Sequence, residues 1–496
     1  MKIGARFFIV LILILVTVQL EAQTKTISFE EILKEGFKNN YEIKLEKLNV
    51  TKSNYSLLRA NGFLNPYIDS EVVYGSGIDP TITNNGTQYF QSNLVIPTKF
   101  GIDFYSGARL ERTDLIQESI ILNSSGAWVG ATIPLLRGLG KNSQVNAFIE
   151  TSKINQKALD EQFSNQVLTY FNDLLLSYLT LKENKKLYAI EQMTLQEAKK
   201  YKKDIYELAK NDVIPLVEKN RADALVEQKL QQLTLAKLET FGAYYQTKIL
   251  LGNDNKTTQD SIPDLADEIP DPDKEWLIRY ITTRKSELTT LLKNTPQYKS
   301  IALRVEENEI LLKNAKNQKR NQLDLDIKVA RFGLTQNGSF NLGNTLRSTY
   351  PGYSVLVSLT HNFPIRNQKQ KGAYLEQLVE TDRTKTFLEQ FLFESTINAK
   401  LNMTLLEQKI NLYEQTKLIV ELMKRNYQDE KEKFKLGNAT QIDVTISFDN
   451  YFKALKSLNN LKYEIWKNFV NLKFILGELP NNQQELNEFT LLNFFK

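Results

Sequence analysis

Cysteine is absent from all 496 residues, and histidine occurs once, as His361. The first absence excludes disulfides, thiolate metal sites, a thiol nucleophile and a cysteine that could carry a lipid. The second leaves most metal and general-base chemistry without its usual residue. Charge of one sign is also scarce: 63 Lys and Arg stand against 58 Asp and Glu, a formal +5, too small to argue for nucleic acid. Gly-rich phosphate loops, paired-carboxylate motifs and nucleophile elbows are missing. No enzyme, metal site or cofactor is therefore expected.

Beyond the N-terminus no apolar stretch approaches the ~20 residues that a membrane-spanning helix needs. At the N-terminus Lys2 and Arg6 precede an apolar run from Phe7 to Val18, followed by Gln19-Leu20-Glu21-Ala22-Gln23. That is the layout of a secretory signal peptide, residues 1–22, cut near Ala22. Leu20 departs from the small residue usual three positions before a cut, and a retained anchor is the alternative. Removal takes away two cations and one acid, leaving +4.

What is present repeats. Asn39-Asn40-Tyr41-Glu42-Ile43 leads into Leu64-Asn65-Pro66-Tyr67-Ile68, and Asn294-Thr295-Pro296-Gln297-Tyr298 leads into Leu323-Asp324-Leu325, about 254 residues later. Ala131-Thr132-Ile133-Pro134 and Asn362-Phe363-Pro364 each precede a long polar stretch, and Lys248-Ile249-Leu250-Leu251-Gly252 returns as Lys473-Phe474-Ile475-Leu476-Gly477. The shrinking offset places about 24 additional residues in the first copy, between Tyr74 and Trp128. The expected organisation is repeat 1 over 23–252, a Pro-rich linker over 253–273, repeat 2 over 274–477 and a tail over 478–496.

Each repeat reads helix, strands, very long helix, bend, long helix. Ser28-Phe29-Glu30-Glu31 is a capping box for a helix expected to reach about Ala60, and Asp273 can cap a second expected from Glu275 to about Gln318. Residues 141–207 and 366–435 contain no proline and a single glycine, Gly372, so each stretch can run as one helix of roughly 100 Å. Phe163, Val167, Tyr170, Leu174, Tyr178 and Leu181 mark a coiled-coil-like seam; Leu375 with Leu378, Phe387 with Phe391 and Leu401 with Leu405 suggest the same in repeat 2.

Strands are expected over about 64–134 and 321–364. Val355, Val357, Leu359, His361 and Phe363 alternate with polar positions, as do Leu323, Leu325, Ile327 and Val329, then Phe100, Ile102 and Phe104, then Ile68, Val72 and Tyr74. Segments of about ten residues with one apolar and one polar face fit a membrane barrel, and equally a soluble sandwich. The loops Asp79 to Gln91 and Leu334 to Tyr350 are expected at one rim. Tyr67, Tyr74, Trp128, Tyr350, Tyr353 and Phe363 are candidates for interfacial belts, and Lys199-Lys200-Tyr201-Lys202-Lys203 reads as a solvated helix face.

In this order the elements resemble the TolC-like outer-membrane efflux proteins over almost the whole mature chain. Ile133-Pro134-Leu135-Leu136-Arg137-Gly138-Leu139-Gly140 is similar to that family's strand-to-helix turn, with Phe363-Pro364-Ile365 as its reduced partner. Phe434-Lys435-Leu436-Gly437-Asn438-Ala439-Thr440-Gln441-Ile442-Asp443-Val444 resembles its periplasmic helical tip, and Leu208 to Pro215 is the first copy's tip, without the glycine and with Pro215 expected in the first helical turn.

The resemblance implies a mainly α fold with a transmembrane β-barrel portion shared by a homotrimer, twelve strands in all, four from each chain, continued by an α-helical tunnel. It implies a passive outer-membrane channel of a tripartite efflux or type I secretion system, with outer-membrane lipid, a periplasmic membrane-fusion adaptor and an inner-membrane pump as partners. Asp443 matches the acidic position at the tunnel constriction, where threefold repetition would make the carboxylates raise one another's pKa; a plain capping aspartate is the alternative. The second acid expected one turn later is Ile446 here. Leu436, Gly437, Thr440, Ala209 and Asp212 are the adaptor-contact candidates. The first copy's additional residues leave open a further hairpin or a longer loop. A periplasmic coiled-coil adaptor or bridging protein without a barrel is the competing reading.

Overall fold

The computed structural model describes residues 26–76, 84–115, 120–211, 215–252, 262–337, 341–343, 347 and 352–495; the leader expected over 1–22 lies outside them. In chain order the elements are β1 (Thr26–Ile27), α1 (Phe29–Asn39), α2 (Tyr41–Gly62), β2 (Tyr67–Ser76), β3 (Asn84–Pro97), β4 (Asp103–Leu115), β5 (Ile120–Pro134), α3 (Gln144–Lys210) and α4 (Val217–Leu251). There follow β6 (Asp264–Leu265), α5 (Lys274–Asn294), α6 (Pro296–Gln318), β7 (Gln322–Gln336), β8 (Gly352–Asn362), α7 (Gln368–Lys435), α8 (Gln441–Leu476), α9 (Gln483–Glu488) and α10 (Leu491–Phe494). The chain divides into two units, each gathered from separated stretches.

One unit holds residues up to Lys47 with Phe163–Pro296 and Leu392 onward. Its helices start where side chains can satisfy free amides: Ser28 accepts from Glu31 N–H, and Asp273 from Glu275 and Trp276. Neither helix runs on as expected. The first breaks at Asn40, whose Oδ1 caps the Ile43 amide at 3.0 Å while its Nδ2 donates to the Leu250 carbonyl at 2.9 Å. The second breaks at Thr295, ahead of Pro296. Both breaks have a docking reason. Gly252, just past α4, packs against Asn39 and Asn40, and Gly477, just past α8, packs against Thr295.

The α3 seam is buried as its spacing requires: Val167, Tyr170, Leu174, Tyr178 and Leu181 are all within the core, and Phe163 packs against it. Phe29, Trp466 and Phe469 fill the same core, each contributing about 1.5–3 kcal/mol by burial. In α7 the expected row is not the one the chain's own core covers. Leu375, Phe387, Leu401 and Leu405 are exposed and Leu378 and Phe391 half-buried, and the buried row is Ala399, Met403, Leu406, Ile410 and Tyr413. Two apolar rows run along this helix, and spacing alone does not say which one the chain's own core takes. Exposed rows at similar spacing also mark α2 (Tyr41, Leu45, Leu48, Tyr55, Leu58) and α4 (Leu235, Leu238, Tyr245, Ile249).

The other unit, residues 48–162 and 297–391, holds one antiparallel sheet of order β2-β3-β4-β5-β7-β8. The first repeat therefore contributes four strands where two were expected. Residues 84–91, assigned above to a rim loop, lie in β3, and Leu334 lies in β7. Phe100 and Ile102, read as strand, belong to a tight turn: Gly101 N–H donates to the Thr98 carbonyl, and Thr98 N–H to that of Ile102. The additional residues are thus a hairpin inserted within the sheet plane, with β3 paired to β2 and β4 to β5.

Candidate functional site

Pleating sends successive side chains to opposite faces, and the register aligns those faces across all six strands. One face carries Ile68, Val72 and Tyr74, then Phe90, Leu94 and Ile96, Phe104 and Leu110, Val129, Ile327 and Val329, and finally Tyr353, Val355, Val357 and Leu359. Most are solvent-exposed in the single chain, Val72 at 75% and Val355 at 71%. The opposite face is polar. It bears Asp69, Glu71, Asp103, Glu111, Asp324 and Asp326 against Arg109 and Lys328.

The polar face is tied together by side chains lying along it. Asp326 accepts from the Tyr105 hydroxyl at 2.8 Å and from Thr132 at 2.9 Å. Three aromatic rings lie over glycines directly opposite them in the register: Trp128 over Gly107, Tyr105 over Gly130, and Phe332 over Gly126. A Cβ at Gly107 would stand 2.7 Å from the Trp128 ring, so only glycine admits the flat ring. Lys328 covers Trp128 at 4.3 Å. Beside them opens a recess of about 370 Å³ lined by Tyr67, Asp69, Asn93, Asp103, Thr132 and others. Tyr67 and Trp128 therefore sit on the polar face rather than in an apolar belt. Tyr74 and Tyr353 are on the apolar face, and Tyr350 lies outside the described residues.

Where the strands hand over to helices, β5 ends at Pro134, opposite Asp324. Gly138 and Gly140 adopt φ of +92° and +72°, left-handed values that favour glycine and redirect the chain into α3. Gly138 N–H donates to Asn317 Oδ1 at 2.8 Å, and Gly140 N–H to the Phe100 carbonyl of the β3–β4 turn, also at 2.8 Å. Pro364 stands two residues beyond β8.

The other unit contains the helical tips. Ala198, Tyr201 and Ile205 of α3 pack with Ala222, Leu225 and Val226 of α4, Tyr427 of α7, and Val444, Phe448 and Phe452 of α8. Tyr201 donates to the Gln441 carbonyl at 3.2 Å, joining the two tips. At the second tip Gly437 has φ +78°, and the Asn438 amide returns to the Lys433 carbonyl, closing α7. Thr440 opens α8 with a complete capping box: it accepts from Asp443 N–H, and Asp443 accepts from Thr440 N–H at 2.9 Å. These Thr440 hydrogen bonds hold the exposed Asp443 carboxyl below its ordinary pKa.

The adaptor-contact candidates divide. Leu436 is 76% exposed and Gly437 and Thr440 are exposed beside it, whereas Ala209 is 3% exposed and faces the packing. Asp212 lies outside the described residues. Pro215 is not in the first turn of α4; it precedes the Leu216 N-cap, and its carbonyl receives the Glu218 amide at 3.1 Å. Sequence reasoning passed over the glycine–aromatic pairs, whose only sequence signal is a glycine within each strand pattern, Gly107 in β4 and Gly126 and Gly130 in β5.

Among the described residues no helix is long and apolar enough to cross a membrane. No protein-family model and no curated protein matches the sequence. Solved structures do match. The Campylobacter jejuni CmeC outer membrane channel superposes over 94% of this chain and 90% of its own, with a TM-score of 0.64 at 14% identity. The outer-membrane channel OprN gives 92% and 91%, a TM-score of 0.67 and 12% identity. The outer membrane protein VceC from Vibrio cholerae gives 90% and 96%, a TM-score of 0.66 and 11% identity. The fold is that of TolC-like outer-membrane channels, mostly helical with a β-sheet region. At the level of fold the resemblance read from the sequence holds across about nine-tenths of the chain.

Proposed function

We propose that three copies of this chain form a passive outer-membrane channel, the exit duct of a tripartite efflux or type I secretion system, with no catalytic role. The observation that carries this reading is the two-faced sheet. A continuous exposed apolar face is costly in water and matched to lipid, and an acidic polar face opposite suits a water-filled lumen. A soluble adaptor or bridging protein has no use for such a face. Residues 1–22 serve as an export leader, the sheet lies in the outer membrane, and the helices occupy the periplasm.

The exposed rows on α2, α4 and α7 suit neighbouring copies in a helical tunnel. Pro134, Gly138, Gly140 and Pro364 turn strands into that tunnel. Leu436, Gly437 and Thr440 present the surface for a periplasmic adaptor coupled to an inner-membrane pump, and Asp443 sets three carboxylates around the axis at the narrow end. Fractionation of cell membranes followed by mass determination of the detergent-extracted particle tests the reading. An outer-membrane particle of three chains that conducts ions in planar bilayers is expected; a soluble periplasmic monomer overturns it.

A further inference from the structure

The sheet has two open edges, β2 and β8, each with a row of backbone N–H and C=O groups that no strand among the described residues pairs. In lipid such edges must be satisfied, because each unpaired group costs several kcal/mol. The chain cannot satisfy them by closing on itself, since it has six strands in this sheet and membrane barrels need at least about eight. The two edges suit each other. β2 has 10 residues and β8 has 11, they run in opposite directions across the meander, and both carry exposed Val or Tyr on the apolar face.

The inserted hairpin belongs to this wall. β4 is paired along its whole length on both sides and β3 over Gly86–Val95, and the apolar band continues over them through Phe90, Leu94, Ile96, Phe104 and Leu110. Their turn feeds no helix; it rests on the strand-to-helix turn, where Ser143 Oγ donates to the Lys99 carbonyl at 2.6 Å and Gly101 abuts the Gly138 carbonyl. Of the six strands in this sheet, β2, β5, β7 and β8 adjoin helices.

Resting on the three-copy channel proposed above, we infer that β2 of each copy pairs with β8 of the next, closing a barrel of eighteen strands rather than twelve. With strands about 4.8 Å apart and tilted about 40°, the backbone cylinder widens from roughly 24 Å to roughly 36 Å across. The membrane portion then admits cargo much bulkier than a twelve-stranded wall passes, and selection by size falls to the helical end. The glycine–aromatic pairs fit this wall, because flat rings line it without narrowing it.

The absence of cysteine makes a direct test possible. Aligning the helix-connected ends of β2 and β8 brings Val72 opposite Val357, so the pair Val72→Cys with Val357→Cys, on oxidation in outer-membrane fractions, should give covalent ladders ending at three chain masses. Leu359→Cys and Val355→Cys, each paired with Val72→Cys, cover a register offset by two residues. A ladder from Leu110→Cys with Val357→Cys instead would mean that β4 is the closing strand and would overturn the inference. So would no bridge from any β2–β8 pair in a three-chain particle; these two results leave the channel reading standing, whereas a ladder ending at two chains overturns the three-copy reading as well. A protein found only as a soluble monomer removes both.

Discussion

Asp443 caps α8, and titration separates that role from the constriction role proposed for it above. In the single chain its bonds to Thr440 depress the carboxyl pKa, so its contribution to the start of α8 is present above the ordinary carboxylate pKa and is lost as pH falls through the depressed value. Three such carboxylates around one axis push the other way. Asp443→Asn is expected to lower cation preference in planar-bilayer recordings, and wild-type selectivity that fades above the ordinary carboxylate range would mark the ring. Unchanged selectivity in the variant counts against a constriction role.

Lys473 is the clearest strained charge at this scale. Burial pushes its ammonium down to about 8, Glu478 opposing and Arg284 adding to the shift, and the rings of Phe494 and Phe469 stand 4.2 and 4.9 Å away. The folded pKa lies below the unfolded one, so below about pH 8 the folded state holds an unfavourable charge, and stability rises as pH climbs from about 8 toward 10.5. Lys473→Met should stabilise the helical unit at pH 7 by on the order of 1–3 kcal/mol, less any cation–π contribution lost. Thermal unfolding at pH 7 and pH 10 checks this; a gain equally large at both would refute the assignment.

At the scale of elements, the hairpin turn is the most constrained piece. Gly101 has φ +79° and lies against the Gly138 carbonyl, so a methyl group there meets both backbone strain and a steric clash. Gly101→Ala is expected to cost about 1–3 kcal/mol and to lower the yield of folded channel, while Gly62→Ala, in open surroundings at the end of α2, should change little. Similar losses in the two variants would show that the turn is not seated as described. The exposed rows make a second prediction: Leu45→Glu with Leu48→Glu should reduce the share of three-chain particles after detergent extraction. No change in mass distribution would place the interface elsewhere.

For the whole molecule, the proposed three-copy channel makes folding and association one process, because in it other copies would cover the apolar helix rows and pair the open sheet edges. The apparent unfolding midpoint of the extracted particle should therefore rise with protein concentration. A midpoint independent of concentration over a hundredfold range would indicate that each chain is stable alone.

The sequence by itself determined what local chemistry can enforce. The Ser28, Asp273 and Thr440 caps, the stop at Pro134, the buried α3 seam and the alternation of β8 were all legible, because a cap, a missing N–H or a period of two acts within a few residues. Tertiary structure decided the rest. The helix break at Asn40 arises where Gly252 docks from about 200 residues away, whereas the break at Thr295 has a local signal in Pro296 and Gly477 packs against it. The first half of β3, up to Gln91, reads as loop because Asn84, Asn85, Thr87, Gln88 and Gln91 are polar, and it becomes strand only because β2 and β4 take its backbone hydrogen bonds. The choice of apolar row in α7 was likewise made by the surface it packs against, since two apolar rows on one helix carry no local signal of which is covered.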